Sequence, residues 1–367
     1  MRRSAAALAL AAGLAGCGGG SSGAPAGPCS PPGAGFDPDR PAQRLSELCL
    51  VEAAGGGTVA PRPGVVPYDL NTPLFSDYAL KTRTVWLPPG TRAAYDAEAP
   101  LDLPVGAIVT KTFALPPDLR TPTAALRLLE TRLLVRTAQG WRGFPYLWNA
   151  AQTDATFQPG GAVLQLPLVT PSGAAVTASY LVPSVTQCAR CHADTPDGAL
   201  HLLGPTARNL NRTLAYPSGP ENQLAHWSAA GILEGAPAPA DAPRLPVWND
   251  PGTGSVAARA RAWLEVNCAF CHSPGGLART TGLYLGTGVT DPYQLGVCKP
   301  PVAAGPGSGG LAYDVVPGDP DASILVYRVA ATDPVAVMPQ LGRSVVSEEG
   351  LALVRQWIAE LPSQPCP

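Results

Sequence analysis

Cys268-Ala269-Phe270-Cys271-His272 and, upstream of it, Cys188-Ala189-Arg190-Cys191-His192 decide how this chain is read. Each is a Cys-x-x-Cys-His stretch, the form of a covalent haem c attachment site. Both thiols and the adjoining imidazole must meet one rigid macrocycle, so the spacing is demanding. With 9 Cys and 4 His in 367 residues, ~0.002 such pentapeptides are expected by chance for the motif as defined. Two copies predict two covalently bound haem c groups. Cys188, Cys191, Cys268 and Cys271 form the thioethers, and His192 and His272 ligate the irons. A zinc site built from both Cys-x-x-Cys pairs is disfavoured, because the gap from Cys191 to Cys268 far exceeds zinc-ribbon spacing and leaves each histidine unexplained.

Working outward, the second motif sits in a segment with helical features. Val256 to Val266 lacks internal Pro and Gly and runs into Cys268. Ser347 is a good N-cap before Glu348 and Glu349, and Leu351, Val354, Ile358 and Leu361 recur at helical spacing. These predict the first and last helices of a cytochrome c domain over 246–367. The first motif differs, since Pro183 forbids a long helix leading into it. A strand is expected to deliver it, with a helix opening at Gly219-Pro220 later in the unit 188–245. Gly235 to Pro246, rich in Ala and Pro, reads as a linker. Residues 41–187 read as β-rich. Thr82–Leu87, Ala107–Phe113, Leu126–Arg136, Tyr146–Trp148, Val163–Leu166 and Ala175–Leu181 are strand candidates punctuated by Pro and Gly. The expected fold class is α+β multidomain: an N-terminal all-β, sandwich-like domain, then two haem-binding units, the last a mostly α-helical cytochrome c fold.

The first residues bear on where that chemistry can occur. Arg2 and Arg3, the apolar run Ala5–Ala15 and Leu14-Ala15-Gly16-Cys17 resemble a bacterial lipoprotein signal over 1–16, with Cys17 the lipidated N-terminus. Gly18 after that cysteine resembles sorting to an outer membrane. Residues 17–40 read as a flexible Gly/Ser/Pro tether. The expected setting is an exported lipoprotein of the cell envelope, facing the periplasm and held by its lipid alone. Four cysteines then remain for disulfides in an oxidising compartment. Of three pairings, Cys29–Cys49 and Cys298–Cys366 are favoured because each stays within one module.

The second face of each iron needs a ligand. Once Met1 leaves with the signal, Met338 is the one methionine. In Val337-Met338-Pro339, before the last helix, it is the expected axial thioether of the second haem. For the first haem, His201 and His226 are the uncommitted histidines; water or a lysine are the other options. An open position there would favour chemistry on peroxide rather than electron transfer alone. Arg343 is a candidate propionate partner. Asn71 to Asp77 and Asn149, Gln152 and Asp154 could line a pocket, though backbone hydrogen bonding at turns is the commoner use of such residues.

A net charge of −2 provides no basic field for nucleic acid. Neither a Ser-His-Asp set nor a Gly-rich nucleotide fingerprint is visible. Pro67-Tyr-Asp-Leu-Asn-Thr-Pro-Leu-Phe-Ser-Asp-Tyr78, Gly204-Pro205, Asn222-Gln223-Leu224, Gly307-Ser-Gly-Gly-Leu311 and Val316-Pro-Gly-Asp-Pro320 resemble a family of exported bacterial dihaem c-type cytochromes. That resemblance, over about residues 65–361, implies both haems and Met338 as ligand. The expected function is electron transfer with a redox partner such as another cytochrome, a cupredoxin, a quinoprotein or an oxidase. The alternatives are a peroxidase-like enzyme with an open first haem and the electron-accepting subunit of a periplasmic dehydrogenase.

Overall fold

Alternation of side chains between two faces, interrupted by an irregularity at Phe113/Ala114, builds the centre of the molecule. The computed structural model describes residues 29, 31, 36–195 and 198–367. Residues 1–16 and Cys17, with most of the 17–40 segment, lie outside the described residues. Six strands form one antiparallel sheet in chain order: β1 (Val66–Tyr68), β2 (Leu80–Trp86), β3 (Ile108–Leu115), β4 (Arg127–Thr137), β5 (Gly140–Trp148) and β6 (Ala155–Phe157). One face carries Trp86, Ile108, Leu133, Val135, Phe144 and Tyr146 and packs on Phe36, Leu45, Leu48 and Leu50 of the N-terminal segment. Hydroxyls on this face satisfy one another across strands, Thr84 to Thr110 at 2.6 Å and Thr112 to Thr131 at 2.8 Å. The other face presents two neighbouring cross-strand rows. Val85, Val109, Leu134 and Gly143 stand opposite one another in the first; Arg83, Lys111, Arg132 and Pro145 do so in the second.

A hairpin, β7 (Ala162–Val169) with β8 (Ala175–Val182), folds over Phe113 and Leu129 at one end of that second face. The chain leaves β8 at Pro183 and passes through a 3-10 turn (Thr186–Cys188) into the single-turn helix α1 (Ala189–His192). Helices α2 (Ala207–Leu210) and α3 (Gln223–Ala229) follow. Leu210, Leu224 and the fully buried Trp227 pack on Tyr68, Val85 and Val109, so this unit shares a core with the sheet. Beyond it, α4 (Val256–Leu264) continues into a π-helical turn (Glu265–Ala269) carrying Cys268. Helices α5 (Ile324–Ala330) and α6 (Glu348–Glu360) complete a core of Trp263, Leu264, Val326, Val354, Trp357 and Ile358. A Cβ at Gly350 would lie 2.6 Å from the Trp263 ring. Glycine there is what allows α6 to approach α4 so closely.

The expected fold class is corrected. Strand outweighs helix, 27% against 20%, and one sheet, flanked by hairpins and irregular segments, stands where a sandwich was expected. The 246–367 region is not mostly α-helical: three helices are set among turns and coil. The physical reason is composition. With 40 Gly and 43 Pro, few runs are long enough to propagate a helix, and cores form between turns instead. Two local expectations also change. Gly219–Asn222 is a strand paired with Thr213–Tyr216, and the helix starts one residue later, capped by the Asn222 side chain accepting from Leu224 N. The Ala/Pro-rich stretch before Pro246 is no free linker. Asn211 Nδ2 donates to the carbonyls of Pro239, Ala242 and Pro243, and Leu245 is buried.

The polar run 71–77 fastens the sheet to the C-terminal unit. Buried Asp77 accepts from Ser344 N at 2.6 Å, Val345 N at 2.9 Å and Ser344 Oγ at 3.0 Å. Phe75 N donates to Asn267 Oδ1 at 2.8 Å, and Arg208 pairs with Glu265 at 3.0 Å. No helix among the described residues is long and apolar enough to cross a membrane.

Candidate functional site

Both Cys-x-x-Cys-His stretches lie at the seam between the sheet and the C-terminal unit. Cys188 rests on the sheet through a gap left by Gly143 of β5, where a Cβ would lie 2.7 Å from its sulfur. The loop after α1 returns so that His201 clasps His192 twice. His201 N donates to the His192 carbonyl at 2.7 Å, and the His192 ring donates from Nδ1 to the His201 carbonyl at 2.9 Å. A carbonyl can only accept, so the proton is on Nδ1 and Nε2 keeps its lone pair. His192 belongs to the lining of a cavity of about 350 Å³, together with Cys188, Cys191, Arg83, Lys111 and Arg132.

The second motif lines a cavity of about 520 Å³ that also holds Met338. The π-helical turn puts Cys268 at the end of α4, and His272 N closes back on the Cys268 carbonyl at 2.9 Å. His272 Nδ1 is buried with no hydrogen-bond partner among the described residues; the Leu283 carbonyl is near enough to act on it without bonding geometry. Met338 is held by its backbone. Arg343 donates to the Met338 carbonyl from Nε at 2.9 Å and from Nη2 at 2.7 Å, and Nη2 also reaches the Val329 carbonyl at 2.9 Å. Arg343 thus clamps the Met338 loop while lining the first cavity.

The two cavities share a wall made by Cys191, Asn267, Phe270, Val329, Pro339 and Leu341. Cys271 Sγ comes within 3.8 Å of the Arg190 carbonyl, so the motifs touch although the sequence separates them widely.

Burial sets the electrostatics. It pushes both imidazoles down to about 4, keeping them neutral and able to donate a lone pair. It raises the Cys268 thiol to about 12 and Cys271 to about 11. Cys188 and Cys191 are raised by burial too, with Arg132 opposing it. Lys111 is pushed down to about 7 by burial and then by the guanidiniums of Arg83 and Arg132.

No family model, curated protein or solved structure matches this chain.

The remaining predicted residues fall as follows. His226 lines neither cavity: its ring stacks on Tyr216 at 3.5 Å and its Nδ1 meets Glu221 at 2.7 Å. His201 contributes backbone only, its ring lying exposed 3.8 Å from Asp194. Asn149, Gln152 and Asp154 bond backbone and one another's turn, with Gln152 donating to the Leu128 carbonyl and accepting from Leu128 N. The chain joins Cys29 to Cys49 and Cys298 to Cys366, with Cα atoms 5.6 and 5.1 Å apart. Among the described residues no three His, Cys, Asp or Glu gather as ligands for a bare ion.

Sequence reasoning missed Gly143 and the row Arg83, Lys111 and Arg132. A signal was present for Lys111 alone: it is the one charged residue in a strand whose other positions are apolar or Thr, whereas Arg83 and Arg132 share their strands with other charges. The pairing register that sets the three side by side is a tertiary fact.

Proposed function

We propose that this chain is a dihaem c-type electron-transfer protein. The single observation that carries the reading is the pairing of two Cys-x-x-Cys-His cavities across one shared wall. Each cavity gathers two thiols and a neutral imidazole. The donor set suits an iron that brings four porphyrin nitrogens of its own and asks the chain for one or two more. Gly143 fits the same purpose, leaving room for the Cys188 sulfur. His192 and His272 would ligate from Nε2, and Met338 would complete the second site.

A haem bound at each position supplies a one-electron couple. The chain's own residues set its surroundings. The His201 carbonyl orients the His192 ring and raises its basicity. Arg343 fixes the Met338 loop, so the thioether is held without a hydrogen bond of its own. A thioether opposite an imidazole raises the potential, which makes the second site the higher of the two. Phe270, Val329, Pro339 and Leu341 give the shared wall an apolar character, and the wall keeps the path between the sites short. A lipid-anchored place in the cell envelope, kinship with exported bacterial dihaem cytochromes, and a cytochrome, cupredoxin, quinoprotein or oxidase as partner belong to the same proposal; they rest on the N-terminal sequence and the resemblance.

Mass spectrometry of protein matured in a host with haem-attachment machinery tests it. Two haem additions on the peptides bearing Cys188 and Cys268 are expected. A chain carrying neither overturns the reading.

A further inference from the structure

We propose that Lys111 supplies the sixth ligand of the iron held by His192. The inference rests on the dihaem reading and names what that reading leaves open. Among the described residues lining the first cavity, the side chains outside the motif that could offer iron a nitrogen or sulfur lone pair reduce to Lys111. Arg83, Arg132, Arg208 and Arg343 keep their protons. Met338 lines the other cavity and not this one. His226 and the His201 ring face elsewhere. The Glu265 carboxylate is taken by Arg208 and by Thr287, whose N lies at 2.8 Å.

The register places this lysine. Cys188 sits on Gly143 of β5, and Lys111 belongs to β3, two strands along the same face. Two strand spacings and a two-residue step along the strand together make ~12 Å, a span over which a lysine side chain can reach the middle of a macrocycle anchored at Cys188. Its neighbours in the row are already paired. Arg83 Nη1 meets Asp69 at 3.0 Å, and Arg132 grips Glu130 through two nitrogens. Among the described residues Lys111 has neither ion pair nor side-chain hydrogen bond. Its Nζ stands 5.8 Å from the Phe113 ring centroid. Three cations opposite one another would repel. Coordination gives the middle one a partner that no carboxylate provides.

The test uses the full chain with both haems, read by ferric paramagnetic resonance and near-infrared spectra in wild type, Lys111→Ala and Lys111→Met. Both irons of the wild type should be low-spin. Lys111→Ala should turn one of the two high-spin and raise cyanide affinity at that iron at least tenfold, leaving the Met338 sulfur-to-iron band intact. Lys111→Met should restore a low-spin iron and add a second sulfur band, which a purely structural role for Lys111 would not produce. If Lys111→Ala fails to fold, Lys111→Met decides alone. A wild-type first iron already high-spin, or variants with wild-type spectra, overturns the ligand. A wild-type chain without covalent haem overturns the underlying reading instead, so the two failures are distinguishable.

Discussion

Gly143→Ala tests the seating of the first motif most directly. Gly143 is buried on β5, and the added methyl would stand 2.7 Å from Cys188 Sγ, 3.3 Å from Cys188 Cβ and 3.7 Å from Leu134 Cδ2. The first distance is far inside van der Waals contact, and a thioether would hold that sulfur in place. Overpacking of this kind costs about 1–3 kcal/mol. Replacing glycine in a strand recovers about 0.4–1 kcal/mol from the unfolded chain. The net expectation is a loss of up to about 2.6 kcal/mol by these two estimates. Urea denaturation of Gly143→Ala, Cys188→Ala and the double variant forms a cycle that isolates the contact. In the Cys188→Ala background the sulfur is gone and only the 3.3 Å contact to Cβ remains, so the Gly143→Ala cost should shrink. Gly160→Ala, with nothing within 4 Å of its new methyl, should be neutral. An equal cost of Gly143→Ala in both backgrounds would refute the placement of Cys188 against β5.

Met338→Ala should abolish the near-infrared sulfur-to-iron band while both haems stay attached; survival of the band removes Met338 as ligand. Gly350→Ala, whose methyl would meet Trp263 at 2.6 Å, should cost about 1–3 kcal/mol in urea denaturation, and an unchanged midpoint would contradict the close approach of α6 to α4. In the haem-free chain, His192 and His272 have pKa values near 4 when folded, against about 6.5 unfolded. The unfolded state therefore binds the extra protons between those values. Stability should fall as pH drops from about 6.5 to about 4 and be insensitive to these groups above that window. Denaturation at pH 7 and 4.5 checks the sign. Cys366→Ser opens a loop of 68 residues and should lower stability by up to about 4 kcal/mol, read by thermal unfolding under oxidising conditions.

The candidate site residues were legible in the sequence because their pattern is local. Two thiols and an imidazole within five residues need no fold to be recognised, and Met338 stood out by being the one methionine left. Strands were legible as well, since period-two alternation marks them wherever a face is buried: Leu126–Arg136 was read as a strand candidate and forms one over Arg127–Thr137. Legibility failed where partners are distant. Arg343 was read only against a propionate, and its bonds to carbonyls of its own loop and of α5 were not foreseen. His226 looked like a ligand and is turned away by Glu221 and Tyr216. The helix content was overread, because Gly and Pro shorten helices that an apolar stripe alone would extend.

The sequence by itself determined which thiols and imidazoles lie close together, since covalent spacing within a pentapeptide fixes their mutual reach. Only the tertiary structure decided that the two sets share a wall, that Gly143 makes room for Cys188, and that Arg83, Lys111 and Arg132 stand abreast. Those relations depend on strand register and on Asp77, Asn267 and Glu265 tying one unit to the other. Each is a contact between residues far apart in the chain, and no local pattern encodes which distant partner will be met.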